Sequence, residues 1–347
     1  MNRKRVLGLD VIRAVAAILV VLYHYTTRYC EHDLFNKLQV NWPFKVQWGC
    51  LAIVTFFLLS GYLSYKDTQG SNRLTTYLFK KFTRLYPLLW IAIIITTLIE
   101  WLAYPDALLT SKEIILNFTG VPGLWGVRYV DGAYWTLQYE FIFIFWVAVA
   151  ITINQYTKKN VMDVMLLCGV LLSFVIYVTQ EIGLLNNFGF IVKTGMMSEY
   201  IGIFAIGYFI NKLPFGISVK HYSIHHIMKI VLSLFSCFIW LSSERFVFLL
   251  VSIVAIIFVL SRNECYINTD NMFTKACGWI ASISYPLYLC HQNIGYIMLD
   301  RLNVGGAIGD NYFYSCFCFC GAILLDVSIY RKTNCIFCRK EEKSWIR

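Results

Sequence analysis

The sequence predicts an all-α membrane protein, a bundle of about ten transmembrane helices with both termini on the cytoplasmic side. Three observations carry that reading. The chain of 347 residues is 58% hydrophobic and 14% charged, whereas an average soluble domain is about a quarter charged. Its mean hydropathy is +0.60. The apolar residues also gather into runs of about 20, the length that crosses a hydrocarbon core, with the basic residues between them.

The runs fall at about 7–27, 46–65, 82–103, 134–153, 161–180, 189–210, 224–242, 245–260, 277–299 and 305–330. Ten crossings put both termini on one side. The connections on that side hold 21 Lys and Arg residues and those on the other side hold 7, which makes the termini cytoplasmic. Arg13 and Lys193 belong to neither set, because both fall inside runs. The net charge of +10 is therefore the footprint of the positive-inside rule, and no nucleic-acid partner is expected. MNRKR leads directly into the first run without a small-residue cleavage site, so that run is expected to act as its own insertion signal. The length suits one transmembrane domain, 1–330, followed by a basic cytoplasmic tail, 331–347.

Most of the 12 cysteines lie in apolar runs, as Cys168, Cys237 and Cys290 do, where a free thiol packs as a small hydrophobe. Cys335 and Cys338 form one C-x-x-C without a matched second pair, so no metal site is expected. The longest outward connection, about 104–133, contains Thr110-Ser111-Lys112-Glu113 ahead of Ile114, Ile115 and Leu116. That is a capping-box pattern and predicts a short helix at the membrane surface. In FFLLSGYL, Ser60-Gly61 permits close helix approach. No internal repeat is visible, and the absence of inverted halves weighs against a transporter.

Charges inside a span are costly, about 2.5–3.5 kcal/mol each at mid-bilayer on insertion scales, and so default to a functional hypothesis. Arg13 and His24 are three helical turns apart on one stripe, about 16 Å along the axis. Asp10, one turn before Arg13, can pair with its guanidinium. Singly, Arg13 reads as a snorkelling arginine and His24 as an interfacial residue; together they read as two stations of one site. In KKFTRLYP, Lys80 and Lys81 are explained by positive-inside flanking, while Arg84 starts the apolar part and, with Lys81, suits the phosphates of a cytosolic nucleotide-bearing ligand. At the other level, DGAYWTLQYE puts Glu140 about 9 Å below the interface, and SYPLYLCHQN raises His291 about 20 Å from its start. His24, Glu140 and His291 are thus expected to share the outer third, and a histidine with a carboxylate partner is general-base equipment. Tyr134 and Trp135 read either as an aromatic belt or as a sugar-stacking platform. Lys193 and Glu199 could pair or line a cavity.

In order, GLDVIRAVAAILVVLYHY, FFLLSGYLSYK, KKFTRLYPLLW, VDGAYWTLQYEF and ISYPLYLCHQNIGY resemble the signature segments of the acyltransferase 3 family, integral membrane O-acyltransferases of cell-surface polysaccharides. The matches run from about residue 7 to 300. The family's Arg/Lys-X10-His motif falls on Arg13 and His24, its arginine-rich third-helix motif on Lys81 to Arg84 with lysine first, and its Trp-Ser-Leu-x-x-Glu segment on Trp135 to Glu140. The resemblance implies a ten-helix core of the bacterial inner membrane. It also implies acetyl-CoA as acyl donor from the cytoplasm, with no permanently bound cofactor. Arg13, Lys81 and Arg84, with Asp10 orienting Arg13, would bind acyl-CoA. His24 would deprotonate an acceptor hydroxyl or take the acyl group itself, oriented by Glu140. Ser60, Asp131, Tyr134, Trp135, His291 and Gln292 would bind or support a saccharide acceptor. With no fused hydrolase-like domain, lipopolysaccharide O-antigen or another exopolysaccharide is expected. The segment after about 325 resembles the family's usual ending only loosely. Two other classes stay open, a solute or glycan transporter and a non-catalytic envelope scaffold.

Overall fold

The computed structural model describes residues 7–31, 45–69, 74–105, 109–183, 189–213, 224–261 and 271–303, and no strand occurs among them. The chain opens with α1 (Leu7–Tyr23), a π-helical turn (His24–Arg28) and a 3-10 turn (Tyr29–Glu31). There follow α2 (Gly49–Gln69), α3 (Leu74–Ala103), α4 (Ser111–Asn117), α5 (Tyr134–Thr157) and α6 (Met162–Glu181). The second half contains α7 (Gly189–Gly195), α8 (Ile201–Ile210), α9 (Ile224–Trp240), α10 (Ser243–Ser261), α11 (Met272–Cys290) and α12 (Asn293–Asn303).

Among the described residues, 6 helical stretches are long and apolar enough to cross a membrane: Leu7–Glu31, α2, α3, α5, α6 and α10. They match the first five runs and the eighth. The seventh run forms α9, which at 17 residues is a shorter apolar helix. The tenth run, the tail 331–347 and Cys335 and Cys338 lie outside the described residues.

The sixth and ninth runs depart from the expected single helices. The sixth breaks into α7 and α8, with Met197 at φ 52°. Six residues of helix would put Lys193 and Glu199 about 240° apart around the axis. The break instead joins them in an ion pair of 2.7 Å, with the Lys193 ammonium 5.1 Å over the Trp240 ring. Met197 and Ser198 are buried, in keeping with the rule that irregular backbone at membrane depth must be covered by protein. The ninth run breaks at His291-Gln292, between α11 and α12.

α2 runs through the middle of the bundle, packed on α1, α5, α8 and α10. Its tightest crossing is with α8, where Gly61 lies on the Phe204 backbone and Gly207 on the Leu58 backbone. A Cβ at either glycine would strike a carbonyl oxygen. This is the close approach expected of Ser60-Gly61, and small residues at crossings are how apolar helices gain contact in lipid. The capping box also forms: Glu113 N–H donates to Thr110 Oγ1 at 3.3 Å and Thr110 N–H to Glu113 Oε2 at 2.8 Å. Arg128 folds onto the same carboxylate, Nε to Oε1 at 2.8 Å, and holds it down to about 2.

Candidate active site

Arg13 lies in the helical part of the first span with its guanidinium 3.7 Å from Asp10, the pairing expected one turn apart. Arg13, Lys81 and Arg84 converge on one cavity of about 130 Å³. Lys81 pairs with Asp67 at 3.6 Å. Arg84 is exposed and makes no ion pair among the described residues.

Ser60 and Glu140 also line this cavity, joined by a hydrogen bond of 2.9 Å from Ser60 Oγ to Glu140 Oε1. This is not the arrangement expected of a Glu140 that orients His24. Among the described residues no hydrogen bond joins the two, and Glu140 faces the three cations instead. The physical reason is that the first span continues past Tyr23 as a π-helical turn. There His24 meets α11 and α12 rather than α5.

The turn is pinned from outside. Thr26 Oγ1 donates to the Leu22 carbonyl at 2.7 Å and accepts from Val46 N–H at 3.0 Å, while Thr27 Oγ1 donates to the Val46 carbonyl at 2.9 Å. Single-turn π segments inside helices often sit at functional sites. His24 is half-buried, with Nδ1 2.9 Å from Tyr296 Oη. Its ring stands edge-on to that of His291, centroids 4.8 Å apart at 82°.

His291 is fully buried. Its Nδ1 lies 2.7 Å from the Tyr288 carbonyl. A carbonyl only accepts, so Nδ1 carries the proton and Nε2 presents a lone pair. Tyr288 stands between the cavity and the histidines: it lines the former and its ring centroid is 5.2 Å from that of His291. Its hydroxyl is held by Thr136 Oγ1 at 2.6 Å and donates to the Ala133 carbonyl at 2.9 Å.

Asp131 is the clamp that holds the break between α11 and α12. One carboxylate oxygen accepts from Ala133 N–H at 2.8 Å and the other from Asn293 N–H, the first residue of α12, at 2.9 Å. Burial pushes this carboxyl up to about 7 against the pull of those two donors. Tyr134 Oη donates to the Leu289 carbonyl at 3.0 Å, taking up an oxygen released where α11 ends. Gly132 lies against the Gln292 amide, closely enough that a Cβ there would clash. Asp131, Tyr134 and Gln292 thus sit in the scaffold under the histidines. Trp135 is half-buried, in an aromatic group with Tyr139 at 6.1 Å and Tyr200 at 5.7 Å.

The sequence reading missed Tyr296, Tyr288, Tyr285 and Thr136. A signal for one of them exists, since Tyr288 precedes His291 by three residues and so lies on its side of the helix end. Tyr296 carries no such signal, because it lies beyond the break.

Six stretches long and apolar enough to cross a membrane, a cationic cavity and a histidine pair fit the class of multi-pass membrane proteins. A family model described as an acyltransferase domain, acyltransferase 3, matches residues 6–331, nearly the whole chain, and the chain belongs to that family. Searches of curated proteins and of solved structures returned no match.

Proposed function

We propose that the protein is an O-acetyltransferase of the bacterial inner membrane. It moves an acetyl group from cytoplasmic acetyl-CoA to a hydroxyl of a cell-surface saccharide, in the first instance lipopolysaccharide O-antigen. The observation that carries this reading is the single cavity shared by Arg13, Lys81 and Arg84, with Tyr288 linking its wall to His24 and His291. Guanidinium and ammonium groups are natural partners for phosphates. Arg84, exposed at the cavity, suits the phosphates of the nucleotide end.

His24 is the reacting imidazole in this reading, held by Tyr296, and the saccharide enters from the side opposite the cationic cluster. Glu140 and Ser60 line the donor's path. Ten crossings with cytoplasmic termini would put the cations on the acetyl-CoA side. The test is solution NMR of surface glycan from cells carrying the wild-type or His24→Ala gene at matched protein level. O-acetyl signals are expected in the first and absent in the second; equal acetylation in both would overturn the reading. A transporter would instead carry its cargo without any dependence on acetyl-CoA.

A further inference from the structure

His291 is a second imidazole with an unused function. Its Nδ1–H is consumed by the Tyr288 carbonyl at 2.7 Å, which locks the tautomer. Its Nε2 is buried and has no hydrogen-bond partner among the described residues. A buried acceptor left without a donor is costly to keep. The ring is 0% exposed, wedged between Tyr288 and His24, at a helix break that Asp131 clamps through Asn293. A base whose lone pair is fixed, meets no donor among the described residues and lies close to a second imidazole is equipped to receive one proton.

We infer that His24 and His291 divide the transfer between them: His24 carries the acyl group and His291 Nε2 takes the proton of the acceptor hydroxyl. This rests on the acetyl-transfer reading above and assigns its second half. In the first half a His24 ring nitrogen bonds the acyl carbon and the C–S bond of acetyl-CoA breaks. The ring proton that His24 gives up goes to the leaving thiolate. In the second half the hydroxyl oxygen bonds the acyl carbon as its proton passes to His291 Nε2. The C–N bond then breaks, and the His24 imidazolate is reprotonated as the His291 imidazolium gives up its proton, a water carrying it between two rings that stand edge to face. Both histidines end neutral, and the sum is acetyl-CoA plus alcohol giving CoA thiol plus ester.

The experiment uses native membranes carrying the full chain, radiolabelled acetyl-CoA and the endogenous glycan. His291→Asn keeps an N–H placed for the Tyr288 carbonyl while removing Nε2. Loss of general-base help costs about 10²–10⁴ in rate. The variant is therefore expected to lose at least about 100-fold in glycan labelling while radiolabel accumulates on the protein. Hydroxylamine, which needs no base, should release that label as acetohydroxamate at the wild-type rate. His24→Ala should label neither protein nor glycan. Added imidazole should restore glycan labelling in His291→Ala, which guards against a variant that merely misfolds.

Glycan labelling by His291→Asn within threefold of wild type would overturn the assignment. So would loss of both protein and glycan label in His291→Asn together with no imidazole rescue of His291→Ala, which would make the residue structural. If the wild type labels neither protein nor glycan, the acetyl-transfer reading itself fails, and the division of labour with it.

Discussion

His24 and His291 come from the two ends of the chain, yet their rings stand edge to face with centroids 4.8 Å apart. Each is delivered by an interruption of a helix. His24 starts the π-helical turn that Thr26 and Thr27 tie to Val46, and His291 sits where α11 gives way to α12. The two irregularities are what make one site out of two spans.

Tyr296 is expected to act on the reaction through His24. Its hydroxyl is 2.9 Å from His24 Nδ1, and removing one such bond is worth about 0.5–1.5 kcal/mol. Tyr296→Phe should therefore slow acetyl transfer by about two- to tenfold. The KM for acetyl-CoA should not move, because Tyr296 does not line the cationic cavity. Steady-state kinetics on the purified protein in nanodiscs separates the two parameters. An unchanged kcat would mean that His24 does not depend on this bond.

Arg84 offers the cleaner test of donor binding among the three cations. Arg13 is paired with the buried Asp10 and Lys81 with Asp67, so substituting either strands a carboxylate. Arg84→Gln strands none. A charge-assisted hydrogen bond is worth about 1.5–3 kcal/mol, which predicts a rise of about 10–100-fold in the KM for acetyl-CoA. The salt dependence of that KM should become shallower, with melting temperature unaltered. A KM at the wild-type value would remove Arg84 from the donor site.

Asp131 should govern stability rather than acceptor affinity, since both its oxygens are taken by backbone N–H groups. Asp131→Ala leaves two buried donors unmet at about 1–3 kcal/mol each, which should lower the melting temperature clearly. Asp131→Asn keeps one acceptor and should fall between. The pH dependence has a definite sign. Burial raises the folded carboxyl from 3.8 to about 7, so the fold favours the protonated form. Its contribution is full below 3.8 and is lost as pH rises through about 7. Thermal unfolding in detergent should show this slope between those values in the wild type and not in Asp131→Asn.

Gly207 tests the central crossing. A Cβ there meets the Leu58 carbonyl oxygen, which is backbone and cannot swing away, so Gly207→Leu should prevent α2 and α8 from closing. Gly278 on α11 has nothing near its would-be Cβ. Gly278→Ala should be tolerated or slightly stabilising, by up to about 1 kcal/mol, because alanine favours helix. Monodisperse yield from size-exclusion chromatography reads both outcomes.

Much of the fold was legible in the chain because a bilayer leaves so few options. Apolar runs of about 20 residues become helices, and six of the runs match one long helix each among the described residues. The Thr110–Glu113 box formed because its partners are three residues apart, and Asp10 paired with Arg13 for the same local reason. The breaks in the sixth and ninth runs were not legible, since hydropathy does not register a change of backbone direction inside an apolar stretch.

By itself, then, the sequence determined the helical class, the first span carrying Arg13 and His24, and the set of segments from which a site is built. These follow from local rules of length, spacing and charge. Only the tertiary structure decided which groups meet. It put Glu140 with Ser60 among the cations, gave His24 the company of Tyr296 and His291, and used Asp131 as a clamp. Those choices depend on how the helices cross and where they break, and burial in a crowded, water-poor interior makes each buried polar group find the partner that packing brings within reach.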